Sequence, residues 1–278
     1  MGLDTVIDLP CQPKRILAGG DAPEEGARRL LGLWKLQNIA DTVRDKALAS
    51  GQNPAEVRIQ LMVARAGEKT EPTPMTLAEI ETQTESLRSF APDCAACPVS
   101  PNGRLAGCVG SLGYPIPQSA EEWLLARVAP PDSAGGFLLL SAIRDFNYDG
   151  AITRTWREKK LFASPIAFGK SLPENPFGAI DVTTDQLFHA ILGVGATLSP
   201  WHMAMVLVWF RALALDGFPP GNVEAFNALV NLPLDERRTR VSVTIGEPSA
   251  DAGILGVQRL LFAMYLAWSR DVPVRLDG

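Results

Sequence analysis

Three of the chain's four cysteines, Cys94, Cys97 and Cys108, fall in one short segment with the spacing Cys-x2-Cys-x10-Cys. A Cys-x-x-Cys turn can bring two thiolates onto one tetrahedral ion at about 2.3 Å from each sulfur. The surrounding segment, Pro92–Pro117, holds five prolines and four glycines; these forbid a long helix and permit the tight backbone of a metal knuckle. Three thiolates are one ligand short of a closed site. Cys11, the remaining cysteine, follows the strand candidate Val6–Pro10 and is expected to cross over and complete the set. The expected site is therefore Cys11, Cys94, Cys97 and Cys108 around Zn2+, which sulfur-rich tetrahedral sites favour. An iron–sulfur cluster is the alternative that four thiolates also satisfy, although the spacing is not that of the ferredoxin runs. A redox thiol pair has the Cys-x-x-Cys spacing but no βαβ context before it. Cysteines buried as small apolar residues are the plain structural reading.

A second group of ligand-type residues is Asp145, Asn147 and Asp149, followed by Gly150 and Ile152. This loop resembles the start of an EF-hand loop, with oxygen-bearing residues at positions 1, 3 and 5, Gly at 6 and an apolar residue at 8. The resemblance covers the loop alone, and what it implies is Ca2+. Position 12, where the EF-hand supplies a bidentate Glu, is Trp156, and Glu158 comes two residues late. With those oxygens missing, an Asx-rich turn that caps its own backbone is preferred. Asp145 and Asp149 also define the alternative of a metal-dependent hydrolase. Other catalytic signatures are absent from the sequence: G-x-S-x-G, H-E-x-x-H, the P-loop and G-x-G-x-x-G. The chain has two histidines, His189 and His202, so His-based acid–base chemistry has few candidates. His189 follows Asp185 at i+4, on one helical face, and a hydrogen-bonded pair is expected there rather than a catalytic dyad.

The 278 residues are 46% hydrophobic and 21% charged with a net charge of −5, which is globular composition and argues against a nucleic-acid binder. Two basic clusters, Arg154–Lys160 and Arg237–Arg240, each have a carboxylate within or beside them (Glu158, Glu236) and read as solvated faces. A nucleic-acid binder using them is the third function class. The most apolar stretches, Met203–Leu215 and Ile254–Trp268, are interrupted by Arg211 and by Gln258 and Arg259, short of the roughly 18–20 apolar residues of a membrane span. No basic stretch followed by an apolar run opens the sequence, so a cytoplasmic protein with reduced thiols is expected.

Several elements must position these residues. Glu24–Ser50 carries an apolar stripe and ends at Gly51, the mark of a long helix. Val57–Val63 alternates as a strand, and Gly67–Pro74 reads as an exposed loop. Thr76 with Glu79, and Ser119 with Glu122, are capping boxes that open helices. Gly135–Ile143 is apolar, and an irregular stretch is expected from there to Pro176. Thr184 caps a helix to about Leu192, and Ser199-Pro200 opens a buried helix to about Leu215. Asn222–Leu232 and the stretch from Ser249 to Ser269 are helices, and Arg238–Ile245 is a strand. The sum is an α+β, helix-rich fold. It divides at Pro130-Pro131-Asp132 into an N-terminal lobe, 1–130, with the cysteines and a mainly helical lobe, 131–278, or forms one compact domain. The function expected from this reading is a non-catalytic interaction or accessory protein, stabilised by its metal and acting on a protein partner.

Overall fold

The computed structural model describes residues 2–62, 72–100, 103–129, 134–175, 178–216 and 223–277. The fold is α+β and helix-rich, as the patterning indicates. Strand β1 (Gly2–Ile7) opens the chain and pairs antiparallel with its last strand, Asp4 opposite Asp277 and Ile7 opposite Val274. That pairing decides how the contacts group. One unit is Pro10–Val109; the other joins Met1–Leu9 to Gly110–Gly278. This grouping differs from the expected lobes 1–130 and 131–278, because strands from residues 2–7 and 109–113 share one sheet with strands from residues 197–198 and 274–277. The expected break at 130–132 lies outside the described residues.

The Pro10–Val109 unit contains α1 (Gln12–Ala18), α2 (Pro23–Ala49), β2 (Arg58–Met62), β3 (Pro72–Thr76), α3 (Leu77–Ser89) and α4 (Ala91–Ala95). Helix α2 matches the expected long helix. Gly51 follows it with φ +70, a left-handed conformation that glycine adopts without strain. Helices α1 and α2 touch backbone to backbone: a Cβ on Gly26 would lie 1.9 Å from the Lys14 carbonyl oxygen. Glycine at that position is what lets α1, and Cys11 just ahead of it, sit so near α2. Thr76 and Glu79 form the expected capping box, with the Glu79 carboxylate 2.7 Å from the Thr76 N–H. Ile59 and Leu61, alternate residues of β2, join Ala40, Leu77 and Ile80 in a local core. Of the expected loop Gly67–Pro74, residues 67–71 lie outside the described residues, and Pro72–Pro74 belong to β3, paired with β2. Prolines are tolerated there because a two-stranded sheet has a free edge where no N–H is needed.

The larger unit continues with β4 (Val109–Gly113), α5 (Gln118–Ala126), α6 (Ala134–Asp145), α7 (Ala151–Glu158), β5 (Gly169–Asn175), β6 (Gly178–Thr183) and α8 (Thr184–Leu192). It ends with β7 (Thr197–Leu198), α9 (Pro200–Trp209), β8 (Leu213–Leu215), α10 (Val223–Val230), α11 (Arg237–Arg240), β9 (Val241–Val243), α12 (Ala252–Trp268) and β10 (Val274–Asp277). Its main sheet has the order β4-β1-β10-β7. Three local expectations are corrected. Ser119 does not cap α5, because its hydroxyl donates to Asp251 at 2.8 Å, and Asp251 in turn caps α12. Thr183 rather than Thr184 caps α8, in a box with Gln186. The stretch expected to be irregular after Ile143 contains α7 and β5. Among the described residues no helix is long and apolar enough to cross a membrane.

Candidate metal centre

Cys94 lies in α4, held by its N–H bond to the Phe90 carbonyl, and Cys97 follows in a turn closed by its own N–H to the Cys94 carbonyl. The chain then doubles back. Ser100 donates its hydroxyl to the Arg104 carbonyl at 2.5 Å, and Gly103 (φ +64) packs on Ala95. Ala106 takes the left-handed conformation, φ +49, although it has a side chain, and its N–H points at the Cys94 sulfur at 3.4 Å. Gly107 is required next: a Cβ there would meet the Ser100 hydroxyl at 2.2 Å. This compact fold-back brings Cys108 to Cys94 and Cys97.

Cys11 arrives from the other end of the unit as the residue before α1, in extended backbone and with no side-chain bond to the helix. All four cysteines line one small cavity, together with Pro13 of α1, Leu30 of α2, Asp93 of α4, Ser100 and Gly107. All four are free thiols. Cys94 and Cys108 are buried, and Cys11 and Cys97 half-buried. Burial pushes the Cys108 thiol up to about 12, against the pull of the nearby Lys14 ammonium. Burial also raises Cys94, opposed by the Ala106 N–H. Lys14 is itself buried, at 4% exposure, and on the cavity's own lining the Asp93 carboxylate works the other way, raising Cys94. Among the described residues, no group of three or more His, Cys, Asp or Glu side chains is disposed to hold a metal ion as it stands.

The other candidate residues have separate uses. Asp145 is fully exposed, and its carboxylate accepts from the neighbouring Arg144 at 2.8 Å, which holds it below the usual carboxylate range. Asn147 sits in the left-handed region, φ +54. Asp149 accepts from the Ala151 N–H at 2.7 Å, the self-capping Asx turn. His189 does not pair with Asp185. Its Nδ1 accepts the Gly150 N–H at 3.2 Å, with Asp149 3.6 Å away, so its proton lies on Nε2. His202 directs Nε2 at the Ala190 carbonyl, 2.6 Å away, and the proton lies there.

Burial lowers the pKa of both histidines; for His189 Asp149 raises it again and Arg154 lowers it further, and for His202 the Ala190 bond opposes the burial. The unfolded chain therefore binds protons more readily below about pH 6.5. Stability from this source is complete above that pH and is lost as pH falls toward the folded-state values. The expected result is that both imidazoles titrate with midpoints below about 6.5 in NMR. A midpoint at or above it would overturn the burial argument.

Sequence reasoning missed a buried polar centre in the larger unit. Arg157, from α7, uses all five of its N–H donors. Nε binds Asp185 at 2.7 Å, and the two terminal nitrogens bind Glu121, the Ser164 carbonyl and Thr184. Thr184 then donates to Glu121 at 2.7 Å. The guanidinium also lies over the Phe162 ring, 4.3 Å from its centre. Burial works against its charge, but the bonds to Glu121 and Asp185 outweigh this and raise its pKa. The basic cluster that read as a solvated face is thus divided. Arg154 is exposed and donates to the Asp149 carbonyl, while Arg157 is consumed inside. In the second cluster Arg237 reaches the Trp268 carbonyl and lies over its ring, and Arg240 pairs with Glu236.

No protein-family model matches this chain, and no curated protein or solved structure matches it either.

Proposed function

We propose that this chain is a metal-binding accessory protein whose Pro10–Val109 unit is organised by a thiolate-held centre at Cys11, Cys94, Cys97 and Cys108. The observation that carries this reading is that all four cysteines, from two distant parts of the sequence, line a single cavity. Chance burial of small apolar residues gives no reason for that convergence. Four protein ligands fill the coordination of such a centre and leave no open position for a substrate, which is the pattern of structural sites. The centre then ties α1 to the turn segment, where few apolar side chains are available to do so. Free thiols in such a site suit a reducing compartment, so the cytoplasm is part of the proposal.

Elemental analysis of the purified chain tests this directly. Metal is expected in the wild type and is expected to be lost in Cys97→Ser. Absence of metal from both would overturn the reading and leave the cysteines as ordinary buried residues.

A further inference from the structure

The backbone alone sets two of the four cysteines side by side. The Cys97 N–H donates to the Cys94 carbonyl at 3.2 Å, a closure from residue i+3 to residue i that keeps the two Cα atoms within about 7 Å. A disulfide spans Cα atoms about 4.4–6.8 Å apart. Both residues line the same cavity, whose volume is about 10 Å3, room for one water. The two thiols thus share one turn and one narrow space. Cys11 and Cys108 reach that space from other segments, Cys11 from the extended residue ahead of α1 and Cys108 from the residue before β4.

Exposure divides the pair. Cys97 is half-buried, and Ala95 and Ala96 beside it are exposed, so the turn lies at the surface. Cys94 is buried, with the Ala106 N–H directed at its sulfur from 3.4 Å. A small oxidant arriving from solvent meets Cys97 first, with Cys94 next to it on the same turn. An accessible thiol beside a resolving partner is the arrangement that ends in a reversible disulfide rather than in the irreversible sulfur acids.

We infer that Cys94 and Cys97 are a peroxide-sensitive pair whose closure to a disulfide opens the metal centre. This rests on the thiolate-centre reading above and adds its regulation. The Cys97 sulfur attacks one peroxide oxygen and becomes a sulfenic acid as the O–O bond breaks and hydroxide leaves. The Cys94 sulfur then attacks the Cys97 sulfur; the S–S bond forms and the S–O bond breaks with loss of a second hydroxide. Together the two sulfurs give up two electrons, and one peroxide ends, after protonation, as two waters. The metal ion leaves with its oxidation state unchanged, and Cys11 and Cys108 take up protons from solvent.

The test treats the full chain, loaded with Zn2+ and freed of reductant, with hydrogen peroxide. Bound zinc is expected to fall at least severalfold, and peptide mapping is expected to find Cys94 joined to Cys97. Reduction in the presence of Zn2+ is expected to restore the original zinc content. Zinc retained with the thiols unmodified, a disulfide between other cysteines, or Cys97 carried on to sulfinic acid would overturn the pair and leave the thiolate centre standing. A chain that takes up no Zn2+ before peroxide is added would overturn both.

Discussion

Replacing Arg157 with methionine costs the larger unit about 3–5 kcal/mol of folding stability, the range for removing one partner of a buried ion pair. The magnitude follows from what is left behind. Glu121 is fully buried and Asp185 nearly so, and without the guanidinium both lose their charged partner. Methionine fills similar space and keeps contact with Phe162, so lost packing accounts for little of the effect. For a unit of this size the corresponding drop in Tm is on the order of 6–20 °C. Adding Glu121→Gln and Asp185→Asn to Arg157→Met is expected to recover part of the loss, because the penalty lies in the unpaired charges more than in the missing bonds. A single-variant loss within about 0.5 kcal/mol, the range of an exposed substitution, would show that the network contributes nothing to stability. Thermal and urea unfolding of the three proteins decide the matter.

The reason this centre escaped the sequence is physical. Helix α7 buries Thr153 and Arg157, four residues apart, and exposes most of the rest. Its inward face is polar, so a search for apolar periodicity finds no helix and reads the arginine as part of a solvated cluster. What turns Arg157 inward is a pair of carboxylates at positions 121 and 185, which no local window contains. A similar limit appears at α9. The apolar run Met203–Leu215 continues through two elements, because a buried helix and a buried strand have the same composition. The helix ends at Trp209, Arg211 turns the backbone at φ +50, and Leu213–Leu215 pairs with β9. Arg211 was the visible signal for that break.

By contrast, elements that carry their own boundaries were legible. Helix α2 with Gly51 and helix α3 with Thr76 and Glu79 are specified by residues within a few positions of each end. The cysteine site lies between these cases. The tight turns from Cys94 to Cys108 follow from the prolines and glycines between them. That Cys11 would arrive beside them depends on the contact between Gly26 and Lys14, which nothing near Cys11 reveals. Chemistry supplied the missing link instead: three clustered thiols asked for a fourth, and the chain had one other to give.

Cys11→Ser separates the metal reading from simple burial because the two predict opposite signs. Cys11 precedes α1 at the N-cap position with extended backbone, and its sulfur makes no bond to the helix. Serine is among the preferred residues at that position, since its hydroxyl can accept from the first free N–H groups, an effect of about 1 kcal/mol. If Cys11 were only a half-buried small side chain, the substitution would leave α1 unchanged or firmer. If Cys11 is one of four metal ligands, the loaded protein loses about 3 kcal/mol, roughly a quarter of the 10–16 kcal/mol found for four-ligand structural zinc sites. The loss should be local, with amide exchange quickening in α1 and across residues 94–108. After the metal is stripped, the order should reverse or vanish, the serine variant then being as stable as the wild type or slightly more so. Exchange protection and urea unfolding, each measured loaded and stripped, provide the four values needed. Equal stability of wild type and variant in the loaded state would remove Cys11 from the centre and with it the tie between α1 and the cysteine turn.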